Sequence, residues 1–249
     1  MWFQKKYLFS SQNQSKSDLF PYLSSEDHYF DTACQSLRPQ AVLDSLMEYY
    51  QRSNACGGRG TYAWAEQVDR RVEEVRHAIL KWMRLSGREY EVFFGLNTTH
   101  GINTILWSID WSKYEKIVTS EIEHNSVFLP VMKIAETHGI ERRVLPREED
   151  GELKYEISDI TKAVIVVNTT SNIDGRRLKN LHKLADDAYM NGGMVILDAC
   201  QSMGHDLSWM AGIRADAILA SGHKMYGPTL GIGVINKDLR DRLNPAFLG

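Results

Sequence analysis

The chain has 249 residues, a formal net charge of −3, 43% hydrophobic and 24% charged residues. That is ample apolar material for a large core and excludes disorder as the main state. Lys and Arg are scattered, which excludes a dedicated nucleic-acid binder, and the longest clean apolar run, Ala163 to Val167, falls far short of the ~20 residues of a membrane span. A polar stretch from Ser10 to Ser17 predicts a loose arm within residues 1–28, and no signal-peptide core is present. Residues 66–83 place Val68, Val72, Val75, Ile79 and Trp82 or Met83 at steps of three and four, which predicts an amphipathic helix. Strand-like runs follow at Glu91–Gly95, Lys116–Ser120, Arg142–Leu145 and Ala163–Val167. A helix is predicted over 177–190, with Leu178, Leu181, Leu184 and Ala188 on one face and a stop at Asn191-Gly192-Gly193. Further strands are predicted at Met194–Leu197, Ala217–Ala220 and Gly231–Ile235.

Runs such as VIVV and MVIL are apolar on both faces, as buried parallel strands are. The alternation predicts an α/β fold, with helices covering a sheet. In such folds ligands bind beyond the carboxyl ends of the strands. Five strand ends here carry polar or ionisable groups: Asn97-Thr98-Thr99-His100, Glu121-Ile-Glu-His124, Asn168-Thr-Thr-Ser-Asn172, Asp198-Ala-Cys-Gln201 and Ser221-Gly-His-Lys224. Together they point to a site.

The set suits one chemistry. A lysine at a partly buried strand end can form a Schiff base with a carbonyl. A nearby aspartate can keep a pyridinium nitrogen protonated. Hydroxyls, imidazole and a helix N-terminus can hold a phosphate. These are the needs of pyridoxal 5'-phosphate. Taken singly, each residue has a plainer explanation: a surface lysine, an Asp198 turn cap, Thr98 and Thr99 helix caps, a structural His124. His77, His138 and His182 lie in helical stretches without partner motifs and read as structural. Cys34, Cys56 and Cys200 are widely spaced, with no C-x-x-C. They indicate a reducing, cytoplasmic setting without disulfides or a metal site.

ADAILASGHKMYGPTLGIGVI, around Lys224, resembles the lysine segment of the class V aminotransferases, which are fold-type-I pyridoxal phosphate enzymes and include cysteine desulfurases and selenocysteine lyases. YFDTACQS, GGRGTY, NTTHGIN, EIEHNSVFLP, TSNIDG and DACQSMGH resemble its other segments in the same order, from Tyr29 onward. The resemblance implies a fold-type-I large domain over 29–249, built on a mostly parallel seven-stranded sheet with helices on both faces. It implies that Lys224 forms the Schiff base and shuttles protons, that Asp198 pairs with the pyridine nitrogen, and that Gln201 bonds the ring's phenolic oxygen. His124 would stack on the ring. Thr98, Thr99, Ser221 and His223 would bind the phosphate, and Asn172 would sit beside the ring oxygen. Gly101 would let the helix N-terminus approach the phosphate closely.

Several positions depart from the family pattern. Asn97 stands where Gly is usual, His100 is unusual, Asn125 replaces a second His, Arg176 stands where Thr is common, and Leu230 interrupts the glycine-rich stretch after the lysine. The family's chain continues into a small C-terminal domain, and the present sequence stops inside a family glycine motif. By resemblance, the missing part would carry the carboxylate-clamping arginine and the nucleophilic cysteine of a desulfurase. None of the three cysteines occupies that position; Cys200 reads as a small buried residue, and Cys34 falls near the site. The expected function is sulfur removal from cysteine, on a small amino-acid substrate, in a homodimer working with a sulfur acceptor protein. The alternatives are another class V reaction (aminotransferase, kynureninase-like, epimerase) or an inactive fragment that keeps the cofactor fold. No nucleic-acid or membrane partner is expected.

Overall fold

A computed structural model describes residues 16–247. Most of the predicted arm segment Ser10–Ser17 lies outside these residues. After a short helix α1 (Lys16–Leu19), helix α2 (Gln40–Arg52) leads into α3 (Ala63–Met83). Then come β1 (Tyr90–Gly95), α4 (Thr98–Ser108), β2 (Lys116–Ser120), α5 (Asn125–His138) and β3 (Glu141–Leu145). The rest runs through α6 (Ile157–Ile160), β4 (Ala163–Asn168), α7 (Leu181–Met190), β5 (Met194–Asp198), β6 (Ala217–Ser221), β7 (Gly231–Asn236) and α8 (Lys237–Arg240). The seven strands form one sheet in the order β1-β7-β6-β5-β4-β2-β3. Only β7 is antiparallel to its neighbours.

Each predicted strand is present and at most one residue longer at an end. The doubly apolar runs have a direct cause. Along β4, Ile165 and Val167 pack into a layer with residues of α3 and α7, while Val164 and Val166 pack with residues of α4 and α5. All four are fully buried, as expected of a strand covered on both sides.

Two helices differ from expectation. In α3 the apolar stripe is buried only in the last turns, at Ile79, Leu80 and Met83; Val75 remains 48% and Trp82 45% exposed. Helix α7 starts at Leu181 rather than 177, because Arg177 bridges Thr170 and the Leu178 N–H donates to Thr169 O (2.8 Å). Tertiary pairing with the loop after β4 thus overrides local helix periodicity. The predicted stop holds: Gly192 takes φ +69° and the Gly193 N–H donates to Ala188 O at 2.8 Å.

Strand register brings the site together. Gly231, opening β7, pairs with both Gly95 and Ser221. The carboxyl ends of β1 and β6 therefore flank one point. On the other side Asn168 pairs with Asp198, aligning the ends of β4 and β5. A Cβ on Gly231 would lie 2.6–2.9 Å from backbone atoms of Asn97, the residue that caps α4. Backbone cannot yield as a flexible side chain can. Gly231→Ala is therefore expected to destabilise the fold by about 1–3 kcal/mol, read as a lower urea midpoint at unchanged m-value; an unchanged midpoint would show that β7 and α4 are not in close contact. Gly101 also has a packing role. A Cβ there would meet Leu219 of β6 at 3.0 Å, so this glycine serves the packing of α4 on the sheet.

Candidate active site

The carboxyl ends of the strands enclose a cavity of about 460 Å³. Every residue predicted for the site lines it. Thr98 and Thr99 enter from α4, and Asp198 and Gln201 follow β5. Ser221, His223 and Lys224 come from the end of β6, while His124 and Asn172 come from the loops after β2 and β4. Ala33, Cys34, Asn97, Ser126, Asn168 and Cys200 complete much of the wall without having been picked as site residues. For Ser126 there was no sequence signal beyond its nearness to His124.

At the start of α4 the helix cap is Asn97, whose side-chain oxygen accepts the His100 N–H at 2.8 Å. This explains the departure from glycine at that position. It also frees Thr98 and Thr99 from capping. Thr98 Oγ1 lies 2.7 Å from Ser221 Oγ and 2.9 Å from Cys200 Sγ, and the Thr98 N–H donates to Ser221 Oγ at 3.3 Å. Two rotatable hydroxyls therefore meet at a helix N-terminus, an arrangement that favours an anion. Burial, with Asp198 nearby, pushes the Cys200 thiol up and keeps it protonated.

His223 completes this end. Its Nδ1 is buried without a hydrogen-bond partner. Burial, followed by the positive charges of Lys224 and Arg38, pushes its pKa down, so the ring is neutral near pH 7. Lys224 ends a single 3₁₀ turn, Gly222–Lys224. That turn is pinned by its backbone: the Ser36 N–H and Oγ–H both donate to His223 O, at 2.8 and 2.9 Å. The loop after it returns through Tyr226, at φ +63°, whose N–H donates to Ser36 Oγ (2.7 Å). Leu230 is accommodated because its carbonyl accepts the Gly222 N–H at 2.8 Å.

Asp198 is 4% exposed, and one of its oxygens accepts the Cys200 N–H at 3.0 Å, so it does cap the following turn. Gln201 Nε2 donates to Ala33 O at 2.8 Å, tying β5's end to the N-terminal segment. His124 caps α5, with Nδ1 accepting the Ser126 N–H (3.1 Å). In the neutral ring that places the proton on Nε2. Ser126 Oγ lies 2.7 Å from Thr99 Oγ1, linking the two helix starts.

Behind the wall is a buried polar network. Glu123 Oε1 accepts from Ser120 Oγ (2.5 Å) and Oε2 accepts the Asn168 N–H (2.7 Å). Burial, reinforced by the charge of Asp198, pushes its carboxyl up to about 7 despite those donors and the attraction of Arg147. Glu123 lies inside the EIEH segment, yet nothing in the sequence marks it as buried.

No helix among the described residues is long and apolar enough to cross a membrane. The three cysteines are free; Cys34 and Cys56 are exposed.

Residues 28–249 match the family described as Aminotransferase class-V. The chain is 30% identical to the cysteine desulfurase of Pectobacterium atrosepticum, over 91% of its own length and 58% of that protein. It is 32% identical to a probable cysteine desulfurase of Streptomyces coelicolor, over 92% of its length and 59% of the relative's. It thus spans a little under three-fifths of the curated relatives it matches. Among solved structures, the apo cysteine desulfurase of Thermococcus onnurineus NA1 superposes with a TM-score of 0.84 at 27% identity, covering 96% of this chain and 62% of that one. A C-DES mutant with glycine covalently linked to its PLP cofactor shares the fold, with a TM-score of 0.76 at 21% identity over 95% of this chain and 63% of that one. With the motifs in order along the chain, the seven-stranded sheet and a match that extends over residues 28–249, the chain belongs to the class-V aminotransferase family.

Proposed function

We propose that this chain is the pyridoxal-phosphate-binding part of an enzyme that removes sulfur from cysteine. The observation that carries the reading is the set of groups facing one cavity: a lysine amine, a buried carboxylate, a histidine heading α5, and a hydroxyl-rich helix N-terminus beside an unpartnered imidazole nitrogen. That donor set fits the cofactor's aldehyde, ring nitrogen, ring face and phosphate in kind. The curated relatives named cysteine desulfurase support the choice of reaction.

Pyridoxal phosphate, when bound, supplies an electron sink that stabilises negative charge at an amino acid's α-carbon. The chain's own groups prepare for that. Lys224 Nζ holds the cofactor and, once released, takes and returns the α-carbon proton. Asp198 holds a proton on the ring nitrogen, and burial strengthens that ion pair. His124 Nδ1 is fixed by Ser126, so its ring is presented in one orientation. Thr98, Thr99, Ser221 and His223 hold the phosphate, with Gln201 and Asn172 beside the ring oxygen. The substrate is a small amino acid and the sulfur passes to an acceptor protein. We read residues 29–249 as the cofactor domain, the working unit as a homodimer, and the setting as the reducing cytoplasm, which the three free cysteines suit.

The test is cofactor uptake by the 249-residue chain. After incubation with pyridoxal phosphate and gel filtration, a visible absorption band is expected to remain. Borohydride reduction is expected to fix the label on the peptide containing Lys224. Absence of any band would end the reading. With cysteine added, alanine and sulfide report desulfuration, whereas a keto acid reports amino-group transfer.

A further inference from the structure

We propose that Arg147 is a positioning residue that ties the loop carrying His124 to the loop carrying Asn172, and so sets two neighbouring parts of the cavity wall. Arg147 follows β3, is only 7% exposed and stands behind the cavity lining. Its guanidinium braces both ends of the loop carrying Asn172, at the last residue of β4 and at Arg176. Nη1 donates to Asn168 Oδ1 at 2.6 Å, and Nη2 donates to Arg176 O at 3.1 Å.

Each contact has a consequence one step nearer the site. Asn168 Oδ1 faces the guanidinium, so its amide NH₂ is turned the other way, where Nδ2 donates to Ile122 O at 2.7 Å. That carbonyl lies two residues before His124. Arg176 O also accepts the Ser171 N–H at 3.0 Å, closing the loop that contains Asn172. The backbone N–H of Arg147 donates to Glu121 Oε1 at 3.0 Å, a further tie to the His124 loop.

The chemistry favours arginine at this place. A planar fork can serve acceptors at both ends of one loop at once, whereas an ammonium is a point charge on a flexible stem. Glu123 and Asp174 lie on either loop and both stabilise the cation. The Nε atom is buried without a partner. Optimising stability alone would not leave a donor unsatisfied, and apolar residues can replace buried ion pairs without loss. The retained charge is better explained by the two loops it joins.

This inference rests on the pyridoxal phosphate reading only for the identity of the ligand, and the experiment separates the two. Arg147→Lys keeps the cation and the stem but loses the fork; Asn168→Ala removes the acceptor from the other end. Hydrogen exchange is measured on the 249-residue chain without ligand. In Arg147→Lys, exchange is expected to quicken about tenfold in both 121–124 and 170–177, with the central strands unchanged. Asn168→Ala is expected to do the same, and the double variant to go little further, since both changes cut one link. In the loaded protein, Arg147→Lys is expected to weaken pyridoxal phosphate binding about tenfold. It is also expected to reduce the visible-band ellipticity per bound cofactor, a measure of ring orientation that a general loss of stability does not move. Wild-type exchange in either loop of both variants, or wild-type ellipticity in Arg147→Lys, overturns the proposal. If the wild-type chain takes up no pyridoxal phosphate, the cofactor reading falls and the exchange result alone decides the role of Arg147.

Discussion

Replacing Lys224 with alanine is expected to abolish the covalent cofactor signal completely while leaving the fold in place. The backbone contacts that hold the lysine turn do not use its side chain. Ser36 donates to His223 O, and the N–H groups of Met225 and Gly227 donate to Gly222 O, at 3.0 and 2.9 Å. The turn therefore survives truncation at Cβ. The neighbours lose a positive charge, which makes His223 easier to protonate and the Cys200 thiol harder to ionise. Neither change removes the hydroxyls of Thr98, Thr99 and Ser221 that we propose hold the phosphate. Reversible binding of pyridoxal phosphate should therefore persist, with an aldehyde-like spectrum, no borohydride-stable label and none of the cysteine turnover that the proposed function entails. Under the proposed role of Lys224, loss of a proton-transferring amine alone typically lowers rates by 10²–10⁴-fold, and loss of the attachment point adds to that. A Lys224→Ala chain that still carries a borohydride-fixed label would move the attachment to another lysine. A chain with a changed far-ultraviolet spectrum would instead make Lys224 part of the fold.

The sheet and the cavity were legible in the sequence for different reasons. Strands β4 and β5 are covered on both faces, so VIVV and MVIL announce them without any pattern of alternation. The cavity residues were legible because each follows a strand closely; once the strands are placed, the polar residues at their ends must share a rim. What stayed hidden lies one layer back. Glu123, Arg147, Asn168 and Arg176 are far apart in sequence, and only the adjacency of β2, β3 and β4 brings them into one network. Arg147 follows an edge strand in a charged stretch, REED, where solvent exposure is the ordinary expectation. The helix starts were misjudged for a related reason. Leu178 fits the apolar face of α7 by spacing, yet its N–H is already committed to Thr169 O. Only the folded loop shows that prior claim. Likewise Val75 and Trp82 fit the stripe of α3, but no described element covers them.

The buried carboxyl of Glu123 carries the second large prediction, which concerns stability against pH. Its pKa in the folded chain is raised to about 7, from an ordinary value of 4.5. A raised carboxyl binds its proton more tightly in the folded than in the unfolded chain. Glu123 therefore favours folding most in acid, and that contribution is lost as pH rises from about 4.5 through about 7. The full swing is on the order of 3 kcal/mol. Glu123→Gln removes the titration but keeps an oxygen for the Asn168 N–H and a donor for Ser120, whose hydroxyl can rotate to accept. At pH 5 the two proteins should have similar stability, because Glu123 is then neutral in the folded state. At pH 8 the variant should be the more stable. The attraction of Arg147 does not reverse this, since the raised pKa is already the net of burial, Asp198 and Arg147. His223 works in the opposite direction, its lowered pKa removing stability as pH falls below about 6.5, but it does so in both proteins and cancels in the comparison. Urea unfolding of both chains from pH 5 to 8 gives the answer. Stability curves that stay parallel would mean that Glu123 is ionised throughout, with water or a counter-charge reaching it behind the cavity wall.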